Sequence, residues 1–255
     1  MKTPSTPLPN PVPSGIITQR QFDEYAANWV AVSSGPEGTE LAQSFRVGKN
    51  QQLLTSLSLP ALQIARLVST VGAAHIKARF LIIRDEKTQQ PHFSLALFAT
   101  DALDARISSY YLAEQYWLPA TRSKAAPNNS APAASLRPVI MGATRTEVPD
   151  VLARHWLRLW AELTQVTPAL FATNYGSLRG YTFEVAEFMT PLRQLSDFGH
   201  EKLVLEFDLH EYYRTEPQGE VLVHTFGLVL RLESLRIQGV SGPFINMGQP
   251  CPPYC

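Results

Sequence analysis

The stretch HIKARFLIIRDEKTQQPHFSLALFATD, residues 75–101, decides how the chain is read. Ile76, Ala78, Phe80 and Ile82 alternate with Lys77, Arg79, Leu81 and Ile83, the period-two pattern of a strand. EKTQQP is a polar turn, and Phe93, Leu95 and Leu97 then mark one side of a returning strand. Together they predict a β-hairpin. The layout returns downstream. EKLVLEFDLHEYYR (201–214), EPQGE (216–220) and VLVHTFGLVLRLE (221–233) predict a second hairpin.

The two regions align residue by residue. Gly72 precedes Phe80 by the interval at which Gly199 precedes Phe207. HFSLALFA matches TFGLVLRL, with Phe93 on Phe226, Leu95 on Leu228 and Leu97 on Leu230. Phe45-x-Val47 lines up with Phe183-x-Val185, and the opening helices carry Trp29 and Trp156/Trp160. The expected fold class is α+β, a duplicated helix–strand–helix–β-hairpin unit with mainly antiparallel sheet. The first repeat spans 16–118 and the second 147–248. Lys77 and Arg79 occupy positions that match Glu206 and Asp208, so opposite charges on equivalent strands suit cross-strand pairing.

Local signals fill in the rest. Thr18 and Gln21 form a capping box, Ile17 and Phe22 a hydrophobic staple, and Phe22, Tyr25, Ala26 and Trp29 one helical face. Phe45-Arg46-Val47 reads as a short strand. Residues 50–71 read as helical, in one or two pieces because Pro60 interrupts them. Their apolar stripe is Ile64, Leu67, Val68 and Val71, with Gly72 as the C′ residue. The clearest helix is EVPDVLARHWLRLWAELTQV (147–166), with Leu152, Trp156, Leu159, Trp160 and Leu163 in register. A short strand is expected at Tyr181–Val185, and a helix from about Glu187 to Leu195 before Gly199. Residues 1–15 read as a disordered, polyproline-leaning arm, 119–146 as a Pro/Ala/Ser linker, and 249–255 as a cysteine-containing tail.

Of the 255 residues, 45% are hydrophobic, enough for a sizeable core. Lys+Arg and Asp+Glu are 22 each, so no net charge draws the chain to nucleic acid or anionic lipid. The N-terminal stretch has no apolar signal region, and no apolar run approaches the ~20 residues that span a bilayer. A soluble cytoplasmic protein is expected. Both cysteines lie in the last five positions, so the core owes nothing to disulfides.

Asn28-Trp29-Val30, Phe45-Arg46-Val47-Gly48-Lys49, the acidic turn Arg84-Asp85-Glu86-Lys87 and the strand ending Asp101-Ala102 form a pattern. With the ending Pro250-Cys251-Pro252-Pro253-Tyr254-Cys255 it resembles small uncharacterised proteins of Bacteroidota. The resemblance covers most of 16–112 and the tail, and 147–232 loosely. The chain departs from that family's size by its second copy. The family has no established activity, so the resemblance implies no catalytic residues.

Candidate chemistry is sparse. Cys251 and Cys255 are too few ligands for a closed zinc site, and their spacing differs from the CxxC redox motif. A local disulfide is geometrically allowed. Reduced thiols in a solvated or docked tail, metal or thiol chemistry, and partner attachment all stay open. His210-Glu211-Tyr212-Tyr213-Arg214 fails as HExxH, because its fifth residue is Arg and the segment is a strand. Glu206, Asp208 and His210 share one strand face, with Arg231 on the neighbouring strand, and could bind a metal or exchange protons. A solvated sheet face is the expected setting. His224, beside Phe226, reads as a hydrogen-bonded core histidine. Tyr110-Tyr111 and Tyr212-Tyr213 lack the basic groove of a nucleic-acid platform. The expected function is a non-catalytic interaction or scaffold protein, with a protein partner or homo-oligomer and no cofactor, nucleic acid or membrane. The alternative is a metal- or thiol-dependent enzyme or sensor using the cysteines or the Glu206/Asp208/His210 face.

Overall fold

The computed structural model describes residues 15–35, 38–115, 148–193, 198–199, 201–234 and 249–251. In chain order the elements begin with β1 (Ile16–Ile17), α1 (Gln19–Ser33), α2 (Thr39–Ser44), β2 (Arg46–Val47), β3 (Gln52–Leu53), β4 (Ser56–Pro60) and α3 (Ala61–Val68). Then come β5 (His75–Arg84), β6 (Pro91–Thr100), β7 (Tyr110–Leu112) and β8 (Glu114–Gln115). The later part holds α4 (Asp150–Ala161), a 3-10 turn (Pro168–Phe171), β9 (Ala172–Thr173), β10 (Gly176–Ser177), β11 (Gly180–Glu184) and α5 (Val185–Leu192). It closes with β12 (Glu201–Glu216), β13 (Gly219–Ser234) and β14 (Gln249–Cys251).

Local chemistry sets several of these. Gln21 N–H donates to Thr18 Oγ1 (3.3 Å) and Thr18 N–H donates to Gln21 Oε1 (3.0 Å), which closes the capping box of α1. Ile17 and Phe22 join one apolar cluster, as a staple requires. In the β5–β6 turn, Asp85 Oδ1 accepts the N–H groups of Lys87 (3.0 Å) and Thr88 (2.8 Å). Those bonds hold its carboxyl below the ordinary range.

The described ladders are antiparallel. One sheet runs β1-β7-β6-β5-β11-β14 and the other β13-β12-β4-β8, so the fold is α+β. Each hairpin takes its next strand from the other part of the chain: β11 lies beside β5, and β4 beside β12. The inner faces share one core. It contains Ile76, Ala78, Phe80 and Ile82 of β5 and Leu203, Leu205, Phe207 and Leu209 of β12.

The contacts around the two tryptophans match. Trp29 Nε1 donates to Leu178 O (2.9 Å), and its rings pack on Phe80 (5.2 Å), Phe93 (5.5 Å) and Phe171 (5.0 Å). Trp160 Nε1 donates to Leu54 O (2.9 Å), and packs on Phe207 (5.6 Å), Phe226 (5.1 Å) and Phe45 (5.4 Å). Phe80 N–H donates to Arg179 O, and Phe207 N–H to Thr55 O, both at 2.9 Å. The small β2–β3 ladder follows Phe45 as β9–β10 follows Phe171.

Several expectations are corrected. Residues 52–60 form β3 and β4 rather than helix. Leu57 and Leu59 alternate with Ser56 and Ser58, and β12 supplies a partner edge that secures the extended form. Pro60 then serves as N-cap of α3, and Gly72 (φ +82°) lies beyond that helix's C-cap, Ser69. Lys77 and Arg79 do not meet Glu206 and Asp208, because their strands belong to different sheets. Lys77 pairs with Asp104 (3.0 Å) instead. Phe183 lies within β11, whereas Phe45 follows α2, so the matching contacts pair Phe45 with Phe171. On α4, Leu152 is 40% exposed, off the buried stripe that Trp160 completes. The expected linker over 119–146, and all of the expected arm except Gly15, lie outside the described residues.

Candidate functional site

Strand alternation puts Phe207 and Leu209 of β12 into the core and turns Glu206, Asp208 and His210 the other way. That face is not solvated as expected. Glu206 is 4% exposed and Asp208 0%, and their neighbours Val204 and Val229 are also buried. Arg231 Nη2 and Nε donate to Glu206 Oε1 (2.7 Å) and Oε2 (3.0 Å), a bidentate pair taken out of water.

Asp208 is held differently. Neither of its oxygens accepts a hydrogen bond. His210 Nε2 stands 3.3 Å from Oδ2, close enough for an ion pair but not aligned as a hydrogen bond. Burial pushes the Asp208 carboxyl above its ordinary range, and His210 opposes that. Trp156 stacks on His210 at 3.8 Å and 24°. Tyr181 OH donates to Phe226 O (2.5 Å), and burial, with Asp208 adding, drives that phenol well up. Both Asp208 oxygens and His210 Nε2 are buried, although the His210 side chain as a whole is 17% exposed. Among the described residues, no group of three or more His, Cys, Asp or Glu side chains is placed to hold a metal ion.

The described part of the tail, Gln249–Cys251, is a strand. β14 pairs with β11, Gly180 facing Cys251, and Arg179 N–H donates to Cys251 O (2.6 Å). Cys251 is 2% exposed and disulfide-bonded, so of the alternatives left open for the tail the reduced thiol does not hold at this position. Arg79 Nη1 lies 2.6 Å from Cys251 Sγ, and burial, with Arg179 beside it, lowers the guanidinium's pKa. Cys255 lies outside the described residues.

Sequence reading missed a second cluster. Glu211 sits between two imidazoles, with His155 Nε2 2.9 Å from Oε2 and His224 Nε2 3.0 Å from Oε1. Arg158 Nη2 lies 3.1 Å from His155 Nδ1. Hydrogen bonds, from His155 first and His224 next, hold the Glu211 carboxyl below its ordinary range. The three residues come from α4, β12 and β13, and no spacing in the sequence links them. His224 is half-exposed rather than core, because β13 has left the sandwich there.

Beyond this cluster no other described strand accompanies the hairpin. β4 accompanies β12 only from Lys202 to Glu206, and Thr55 O accepts the next bond, from Phe207 N–H. The β12–β13 ladder runs on to Glu216 and Gly219. Tyr212 (43%), Tyr213 (69%), Val221 (42%) and Leu222 (44%) are exposed there. The other tyrosine pair differs: Tyr110 and Tyr111 are buried, with Tyr110 stacked on Phe22 at 3.9 Å. Next to the projecting hairpin, Pro149, Val151, Leu152, Arg154, His155 and Arg158 line an open groove of ≈ 710 Å³. No described helix is long and apolar enough to cross a membrane.

No family model matches the chain, and neither a curated protein nor a solved structure matches it.

Proposed function

We propose that this chain is a non-catalytic interaction or scaffold protein, made of two copies of one helix–strand–helix–β-hairpin unit. The copies run over 16–118 and 147–248 and exchange strands. The paired surroundings of Trp29 and Trp160 support the duplication, because each tryptophan meets the corresponding set of phenylalanines and a corresponding carbonyl. Exchange of β4 and β11 makes a common core that neither hairpin could build alone.

The projecting end of the β12–β13 hairpin carries the functional reading. A two-stranded ribbon is marginal in water, yet this one displays four large apolar side chains and leaves both strand edges without a described partner strand. Such surface is characteristic of docking. Thiol chemistry needs a thiolate, and Cys251 is in a disulfide. A cytoplasmic location belongs to the same reading, and the disulfide weighs against it, since such bonds persist in oxidising compartments.

The test shortens the hairpin by replacing residues 213–222 with Asn-Gly. The described tip residues are exposed, so the melting temperature should stay within about 2 °C. Complexes cross-linked in an extract of the source cells should disappear. If the shortened chain forms the same complexes as the full chain, the docking reading falls.

A further inference from the structure

We infer that the disulfide of Cys251 is redox-active: it exchanges with small thiols, and Arg79 holds the Cys251 sulfur as a thiolate once the bond opens. This goes beyond the interaction reading above and does not depend on it.

Three strands bring the groups together. Arg79 of β5 faces Gly180 of β11, and Gly180 faces Cys251 of β14, so the three lie in one row across the sheet. Directly paired residues point to the same side of a sheet, here the side away from the core residues Ala78 and Phe80. Neighbouring strands stand about 4.8 Å apart, so β5 and β14 are about 10 Å apart at this row. A long side chain closes that distance only by crossing an empty position. Glycine at 180 leaves the position empty, and Arg79 Nη1 reaches Cys251 Sγ at 2.6 Å.

Charge gives the contact its meaning. Arg79 is half-buried, and among the described residues no carboxylate pairs with it. Arg179, beside it, carries the same sign. A disulfide sulfur is neutral and a weak acceptor, so it offsets little of the cost of drawing a guanidinium out of water. Burial, with Arg179 adding, lowers the Arg79 pKa, as an uncompensated cation requires. Opening the bond to leave a thiolate on Cys251 supplies the missing anion. The reduced form gains an ion pair that the oxidised form lacks, and a disulfide whose reduced form is stabilised is the more readily reduced.

Burial also sets the direction of the exchange. The chain has one other cysteine, Cys255, so the bond joins those two. Cys251 is 2% exposed, so an incoming thiolate attacks the Cys255 sulfur. A mixed disulfide forms there, and the electron pair of the broken S–S bond goes to Cys251 Sγ beside Arg79. A leaving sulfur of low pKa speeds that step. A second thiolate then attacks the reductant's sulfur and releases Cys255. Two thiols become one small-molecule disulfide, and the protein gains two electrons. One thiol proton ends on Cys255 and the other in water.

The test equilibrates the full chain at pH 7 in glutathione buffers of graded ratio, traps free thiols by alkylation and counts them by mass spectrometry. The parent bond should open within the range of cellular glutathione. Arg79→Gln should lower the equilibrium constant for reduction about tenfold or more, and Arg79→Lys, which keeps the charge, should stay within about threefold of the parent. In Cys255→Ser, ultraviolet absorbance should show the Cys251 thiolate forming below about pH 7, against about 8.5 for an ordinary thiol. Adding Arg79→Gln should return it towards that value. Cys255→Ser keeps Arg79, so it decides the matter if Arg79→Gln loses its circular dichroism spectrum. A parent bond that resists glutathione, an Arg79→Gln equilibrium equal to the parent's, or a Cys251 thiol titrating at about 8.5 or above overturns the proposal.

Discussion

Replacing Trp160 with Phe removes one indole N–H and leaves the Leu54 carbonyl, at a residue that is 0% exposed, without its donor. An orphaned buried acceptor costs about 1–3 kcal/mol. The smaller ring also leaves a gap against Phe45, Phe207 and Phe226, worth about 1–2 kcal/mol more if the walls relax only partly. The expected loss is about 2–5 kcal/mol. Trp29→Phe orphans Leu178 O and opens a gap against Phe171, Phe80 and Phe93, the corresponding three rings. It should cost the same within about 1 kcal/mol, because corresponding contacts are lost. Urea unfolding followed by tryptophan fluorescence and circular dichroism reads both, provided the slope of stability against urea is unchanged. If one variant falls within about 0.5 kcal/mol of the parent while the other loses several, the two sites are not equivalent and the duplication argument fails.

Asp208→Asn should stabilise the protein at pH 7. The folded carboxyl titrates above its unfolded value, so its favourable contribution is complete below that value and is lost as pH rises through the folded one. The gain should shrink when melting is measured near pH 3, and a gain that does not change with pH contradicts the assignment. Glu187, pushed up to about 7 by burial although its carboxylate accepts Glu184 N–H (3.0 Å), should make native stability fall between about pH 4.5 and 7. Glu187→Gln should flatten that part of the profile, and an unchanged slope would count against it. Gly180 has φ +149°, and a Cβ there would stand 2.0 Å from Ala78 O. Gly180→Ala must push β11 off β5 and should cost at least about 2–3 kcal/mol by denaturant unfolding. A neutral result would show that the strands do not approach so closely.

What the sequence made legible was local. The capping box at Thr18 and Gln21 is read from neighbouring residues, and both hairpins follow from period-two alternation around polar turns. β4 was missed because Leu57 and Leu59 alternate over too few residues to outweigh the apolar run into Pro60 and α3. Its strand state comes from β12, which lies far along the chain, so no window could reveal it. The partner exchange is hidden for the same reason. Alternation assigned Glu206, Asp208 and His210 to one face correctly, but a face's period does not say what covers it, and burial reversed their expected setting. The projecting tip is invisible for a related reason. Tyr212, Tyr213, Val221 and Leu222 read as ordinary strand residues, and only the end of β4 at Glu206 leaves them without a sheet. The Glu211 cluster joins α4 to both long strands, a meeting that depends on tertiary packing alone.

The central claim is that two copies of one unit fold only by exchanging strands. The direct measurement splits the gene within 116–147 and compares each half with the equimolar mixture by near-ultraviolet circular dichroism. β11 pairs with β5 and β4 with β12, each a long strand of the other half. Each half alone should therefore lack the native aromatic signal, and mixing should restore it together with cooperative unfolding. A half that shows native-like aromatic signal and a cooperative transition by itself would contradict the account.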